Sequence, residues 1–346
     1  MGNYYDKPCD ADTLPPGLIS LTLGAQTQQI TGLNHTKLVK MVFGRCYDSP
    51  LQPRALPDHL THLTMGDHFN QELHPGVLPS GLTHLTMGHH FNQELHPGVL
   101  PSGLTHLTLG TYFNQELQPG VLHPGLTHLT LQWRYNHALR DGVLPPTLTH
   151  LTLGGQYSHA FTRNTFPDSL THLRLVDYNT KIPPGVLKAS LRYLSLGAEY
   201  QHRLLPAVLP SALTHLYIGD QYSEPIEDGT LPASLTHLVF GGTFTIPPLR
   251  SDGLLDIRTL RTHHSAYQYA LPTDLRALQY LWLGGHFVLP IDFDTLPSLE
   301  VLVDNSDLGP MKRVWREGEN VFWLPRVYRE KLTPPARVRH YQYPPY

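Results

Sequence analysis

One short pattern of apolar and polar positions recurs along this chain from near its start to about residue 300. Residues 69–88 read FNQELHPGVLPSGLTHLTMG and residues 91–110 read FNQELHPGVLPSGLTHLTLG, differing only at Met87 and Leu109. The element L-x-x-L-x-L-G can be followed by its first apolar residue: Leu18, Leu38, Leu60, Leu82, Leu104, Leu126, Leu148, Leu170, Leu191, Leu213, Leu235, Ile257, Leu278 and Leu299. Most intervals are 22 residues and a few are 20 or 21, which gives about 14 repeats, the last three progressively degenerate. A period in this range built on L-x-x-L-x-L predicts a β-rich, leucine-rich-repeat-like solenoid with a parallel sheet on one face and little helix.

The physics of one unit explains the expectation. In Leu82-Thr83-His84-Leu85-Thr86-Met87-Gly88, apolar and polar residues alternate from His84 onward, the period of a strand. Leu85 and Met87 are predicted to face into the coil, His84 and Thr86 outward. Gly88 permits a sharp turn. Phe91 and Leu95 open a second short buried segment, and Leu100-Pro101-Ser102-Gly103 closes the circuit as a turn, with proline expected at its second position. Pro75, Pro79, Pro97, Pro101, Pro119 and Pro124 leave the back of each coil no room for a stable helix. A single coil cannot bury its own apolar residues, but stacked coils share one core.

Composition fits this picture. Gly 28 and Pro 32 together make 60 of 346 residues, the turn content that such coils require. Charged residues are only 15%, and the net charge of −3 gives no general reason to expect nucleic acid or a membrane surface as partner. Two cysteines, Cys9 and Cys46, are too few for a disulfide framework. No apolar run is long enough for a transmembrane helix, and the start, Met1 to Asp6, carries no signal-peptide core. The expected setting is cytoplasmic.

The division expected is a lead-in over 1–13, a repeat solenoid over 14–310, a C-terminal cap over 311–333 and an extended tail over 334–346. From Met311 to Tyr346 there are eight Lys/Arg against three Glu, a local charge of +5 that leaves −8 elsewhere. The apolar residues Val314, Trp315, Val321, Phe322, Trp323 and Leu324 suit a cap over the open end of a core.

Two sets of positions carry candidate chemistry. His62, His84, His106, His128, His150 and His172, followed by His215 and His237, occupy one outward strand position, with Tyr193 interrupting. Imidazoles in a column are candidate metal ligands, but a column offers two nitrogens per gap where a structural zinc site needs four converging ligands. A stacked, partly shielded ladder copied along with its repeat is the plainer reading, and no metal or cofactor is assigned. Neighbouring cations would repel, so the column is expected to titrate broadly below ~6.5. Thr64, Thr86, Thr108, Thr130 and Thr152 form a parallel column, and Asn70, Asn92, Asn114 and Asn136 another, expected to bond neighbouring coils. The second set is Arg174, Arg192, Tyr193, Tyr217, Arg258, Arg261, Tyr280 and Trp282, aromatics and arginines of the type enriched in interaction faces.

The motif Phe69-Asn70, Phe91-Asn92 and Phe113-Asn114, each followed by a proline-containing turn and L-T-H-L-T, resembles the FNIP-repeat family. Diverged copies start at Tyr47, Tyr135, Tyr157, Tyr178, Tyr200, Tyr222, Phe244 and Phe287, so the resemblance spans roughly residues 14–305. Such repeats are abundant in social amoebae and in giant viruses infecting amoebae, often behind an F-box. The resemblance implies protein–protein interaction with no cofactor. The 13 residues before Leu14 are too few for an F-box. No phosphate loop, nucleophile elbow or H-E-x-x-H occurs, so no enzyme is expected. The function that follows is a non-enzymatic protein-binding scaffold using the outward strand face. Alternatives are a self-associating structural subunit of a viral or cellular assembly, in which case the chain is a virion component, and the substrate-recognition part of a ubiquitin ligase.

Overall fold

The computed structural model describes residues 9–10, 12, 14–15, 17–25, 30–219, 221–241 and 275–283, with backbone alone at 10, 31, 280 and 282–283 and in strands 301–304, 312–317 and 320–325. The strands are β1 (Cys9–Asp10), β2 (Ser20–Thr22), β3 (Ile30–Thr31), β4 (Lys40–Val42), β5 (His62–Thr64), β6 (His84–Thr86) and β7 (His106–Thr108). They continue as β8 (His128–Leu131), β9 (His150–Leu153), β10 (His172–Leu175), β11 (Tyr193–Leu196), β12 (His215–Ile218) and β13 (His237–Phe240). The last four are β14 (Tyr280–Leu283), β15 (Val301–Asp304), β16 (Lys312–Glu317) and β17 (Asn320–Pro325). Among the described residues helix is confined to short 3₁₀ turns such as Leu33–His35.

A 15-stranded sheet runs β2, β4 and then in chain order to β17. Every pairing from β2 to β15 is parallel, and the β16–β17 hairpin adds antiparallel to β15. Taking away the two hairpin strands leaves thirteen parallel coils among the described residues. Apart from these, β1 pairs in parallel with β3 through Cys9 and Ile30.

Register follows the repeat. His62 pairs His84, His84 pairs His106 and His106 pairs His128, so each column in the sequence is a column in space. In each strand the leucine side is buried while His84 and Thr86, for example, are half-buried on the other face. Beneath the sheet a second column, Tyr47, Phe69, Phe91, Phe113, Tyr135, Tyr157, Tyr178, Tyr200 and Tyr222, is fully buried. Neighbouring rings of the central members stand 6.1–6.3 Å apart.

Two turns shape each coil. Val77 N–H donates to His74 O at 3.2 Å across Pro75 and Gly76, and Gly76 has φ +83°. Proline second and a positive-φ glycine third make this a type II turn, which repeats at Gly98 and Gly120, and at Gly142 with Asp141 in the proline's place. In the next turn Leu82 N–H donates to Pro79 O at 3.2 Å. Proline there opens the turn rather than standing second as expected from sequence. The first turn residue needs only its carbonyl, so the missing N–H costs nothing.

The sheet passes directly from β13 to β14. His237 pairs directly with Tyr280 and Phe240 with Leu283, while Gln279 N–H donates to Thr236 O at 2.9 Å. β13 and β14 are therefore direct neighbours in the sheet. Ile257, Arg258 and Arg261 lie outside the described residues.

Coil separation is set where the chain leaves each strand. A Cβ on Gly88 would stand 1.8 Å from Gly66 O, and one on Gly110 would stand 2.0 Å from Gly88 O. Only glycine fits there. Gly88→Ala should therefore destabilise the protein by about 2–4 kcal/mol. Gly103→Ala, whose nearest neighbour is 3.5 Å away, should stay within ~0.5 kcal/mol of the parent. Urea unfolding of both variants checks this; equal losses would contradict the close-approach account.

Candidate functional site

The outward strand face of β5–β10, β12 and β13 is built from a three-residue unit, Thr-His-Leu, one per coil. Thr83 N–H and His84 N–H both donate to Thr61 O at 2.9 Å, and Thr83 Oγ1 donates to the same carbonyl at 3.0 Å. With its proton committed, Thr83 Oγ1 accepts from Nδ1–H of His84 at 2.9 Å. The same contact links Thr61 to His62, Thr105 to His106, Thr127 to His128, Thr149 to His150 and Thr171 to His172, all at 2.8–2.9 Å. Thr214 with His215 and Thr236 with His237 repeat it further on. The neutral ring thus carries its proton on Nδ1 and keeps its lone pair on Nε2.

The hydroxyl holds each ring upright, and the rings stack. Centroids from His62 to His172 are 4.0–4.2 Å apart with planes within 13°. At Tyr193 the spacing opens to 5.6 Å on one side and 6.3 Å on the other, and His215 and His237 resume at 4.1 Å. This geometry bears on metal binding. A metal lies in the plane of the imidazole that holds it, ~2.0–2.1 Å from the nitrogen. Lone pairs of near-parallel rings do not converge, so two stacked neighbours cannot grip one ion without turning. Among the described residues no group of three or more His, Cys, Asp or Glu is placed to hold a metal.

A second ladder lies at the turn beyond the strand. Asn70 Oδ1 accepts from Asn92 N–H at 2.9 Å, Asn92 Oδ1 from Asn114 N–H at 2.7 Å and Asn114 Oδ1 from Asn136 N–H at 2.9 Å. Beside it Gln93 and Gln115 donate Nε2–H to carbonyls of the preceding coil, at 2.9 and 3.1 Å. His137, His159 and His202 take the glutamine's place, each with Nε2 2.9–3.1 Å from the corresponding carbonyl. These histidines therefore carry their proton on Nε2, the opposite tautomer to the strand ladder.

The arginine- and tyrosine-bearing positions fall differently from expectation. Arg174 is half-buried, and burial lowers its pKa. Arg192 is exposed and donates to Ala189 O at 3.0 Å. Tyr193 and Tyr217, with rings 5.0 Å apart, are only 8% and 1% exposed, and Ser195 and Val239 on the same face are buried. The face is closed here, so Tyr193 and Tyr217 are packing residues rather than open contacts. Tyr280 and Trp282 belong to β14 and are described by their backbone alone, and Arg258 and Arg261 lie outside the described residues. Two open aromatics escaped the strand pattern because they sit in the following turn: Tyr112, 39% exposed, and Trp133, 48% exposed. The signal available was their departure from the small or polar residues of that turn in other coils.

Burial, and then repulsion from neighbouring imidazoles, holds His106, His128, His150 and His215 at about 4 instead of 6.5. His62, His172 and His237 are lowered for the same first reason. Between the two values the unfolded chain binds more protons than the folded one. Stability is therefore complete above about 6.5 and declines as pH falls toward 4. The melting temperature should drop by roughly 5–10 °C between pH 7.5 and 5. Replacing His128 and His150 by tyrosine, the residue found at 193, should flatten that dependence. An unchanged slope in the double variant would show that the ladder is not its source.

Comparison with known proteins agrees with the repeat geometry. The FNIP Repeat pattern matches residues 47–90, 91–133, 135–177 and 178–221. No curated protein matches the chain in sequence. Among solved structures, CroV588, a giant-virus protein described as a novel circular leucine-rich-repeat structure, superposes with a TM-score of 0.71 at 35% identity. That match covers 86% of this chain and 45% of CroV588, so the chain spans under half of its length. An internalin, InlF from Listeria monocytogenes, shares the fold with a TM-score of 0.51 at 16% identity, over 82% of this chain and 79% of its own. Among the described residues no helix is long and apolar enough to cross a membrane. With coils in register from β5 to β12 and the family pattern falling on those same coils, the chain belongs to the FNIP-repeat family and has a leucine-rich-repeat-like fold.

Proposed function

We propose that this protein is a non-enzymatic scaffold that binds another protein through the strand face of β5–β9. The observation that carries this reading is the row of half-exposed side chains there, Thr64, Thr86, Thr108, Thr130 and Thr152 beside the histidine ladder. Their backbones are fixed by sheet pairing on both sides, so the face is rigid before a partner arrives and little ordering cost remains at binding. Leucine-rich-repeat-like solenoids are typically used for protein–protein interaction, which supports the same reading. The face over β11–β13 contributes less, because Tyr193, Tyr217 and Val239 are buried.

A photo-crosslinking residue placed at Thr108 in native extract should yield one defined adduct. The same residue at exposed His96, in the segment opposite the strand, should not. Equal adducts from both positions, or adducts only from His96, would overturn the assignment of the face.

A further inference from the structure

We propose that Trp133, Asp177 and Glu199 form a subsite for a cationic side chain, lysine or arginine, of a protein partner. The subsite deepens the scaffold reading and rests on it.

The geometry begins at Gly155, one coil beyond Trp133. A Cβ built on Gly155 would meet Trp133 Cζ3 at 2.5 Å, Cε3 at 2.7 Å and Asp177 Oδ2 at 2.6 Å. The missing side chain is what admits the indole and the carboxylate to one spot, no more than about 5 Å from each other, within the range over which a cation feels a ring and an anion together. Nearly half of the Trp133 surface stays open to solvent.

The charges point to the same ligand. Asp177 is half-buried, and its carboxyl is raised above the usual range first by that burial and then by the Glu199 carboxylate on the next coil. Among the described residues neither acid has an ion-pair partner. Arg134, the cation adjacent to Trp133 in sequence, is engaged elsewhere, with its guanidinium carbon 4.5 Å over the Tyr112 ring. Two carboxylates and a half-exposed indole without an internal cation suit a long aliphatic stem ending in a positive group. An acidic or neutral segment would meet repulsion or leave the acids unpaired.

The test uses the full chain labelled with 5-fluorotryptophan, in which Trp133 is one of four tryptophans and Trp133→Phe identifies its resonance. Octa-arginine peptide should shift that resonance saturably, and octa-glutamate should not. Asp177→Asn with Glu199→Gln should weaken the octa-arginine response at least about fivefold while leaving the melting temperature near the parent. No saturable shift, an unaltered affinity in the double variant, or an equal shift with octa-glutamate would each overturn the subsite. Crosslinking through Thr108 does not depend on these residues, so failure of the subsite and failure of the scaffold reading are told apart.

Discussion

Close approach of one coil's backbone to the next is the constraint from which the rest of the molecule follows. Glycine at 66, 88 and 110 removes the Cβ that would otherwise strike the carbonyl of the preceding coil. Once the coils close to sheet-bonding distance, each carbonyl such as Thr61 O can accept from Thr83 and His84 together. Side chains then have no freedom to choose neighbours, because residues 22 apart must lie one above another. Imidazoles 4.0–4.2 Å apart and buried rings just over 6 Å apart are two readings of that single spacing, differing in ring tilt and position.

The columns also answer where buried backbone polarity goes in a coil with little helix. Strand groups are satisfied by sheet pairing, but the turns are not. Asparagine solves this by turning Oδ1 onto the next coil's N–H, and glutamine by turning Nε2–H onto the preceding carbonyl. That His137, His159 and His202 replace glutamine without loss of the bond shows what is required there: an N–H at the end of a side chain of that reach.

Much of this was legible in the sequence. Alternation in Leu-Thr-His-Leu-Thr-Leu marks the strand and its faces, and an exact repeat makes every position predictable from one coil. What escaped depends on distance along the chain. The interval of 43 residues from His237 to Tyr280 is about twice the usual one, yet β13 pairs directly with β14, a neighbour relation that sequence spacing alone does not give. Tyr193 and Tyr217 read as outward residues, which by position they are; they are nonetheless buried, with rings packed on one another, which strand periodicity does not encode. Trp133 is unremarkable until Gly155, a full coil later, is brought against its ring.

Near-identity of the coils over 69–88 and 91–110 carries a cost in folding. A chain that slips by one whole coil would meet the same leucines, the same glycine and the same asparagine, and would bury almost the same surface. The misaligned state is thus nearly degenerate with the native one over the central coils. Departures from 22 break this degeneracy. Between His172 and Tyr193 the coil is one residue shorter, and between β2 and β4 Ser20 pairs Lys40 after only twenty. A slipped chain would place these short coils where a long one is wanted, leaving a turn that cannot close. The irregular coils therefore serve as alignment marks, and the fidelity of a repetitive fold resides in the places where it does not repeat.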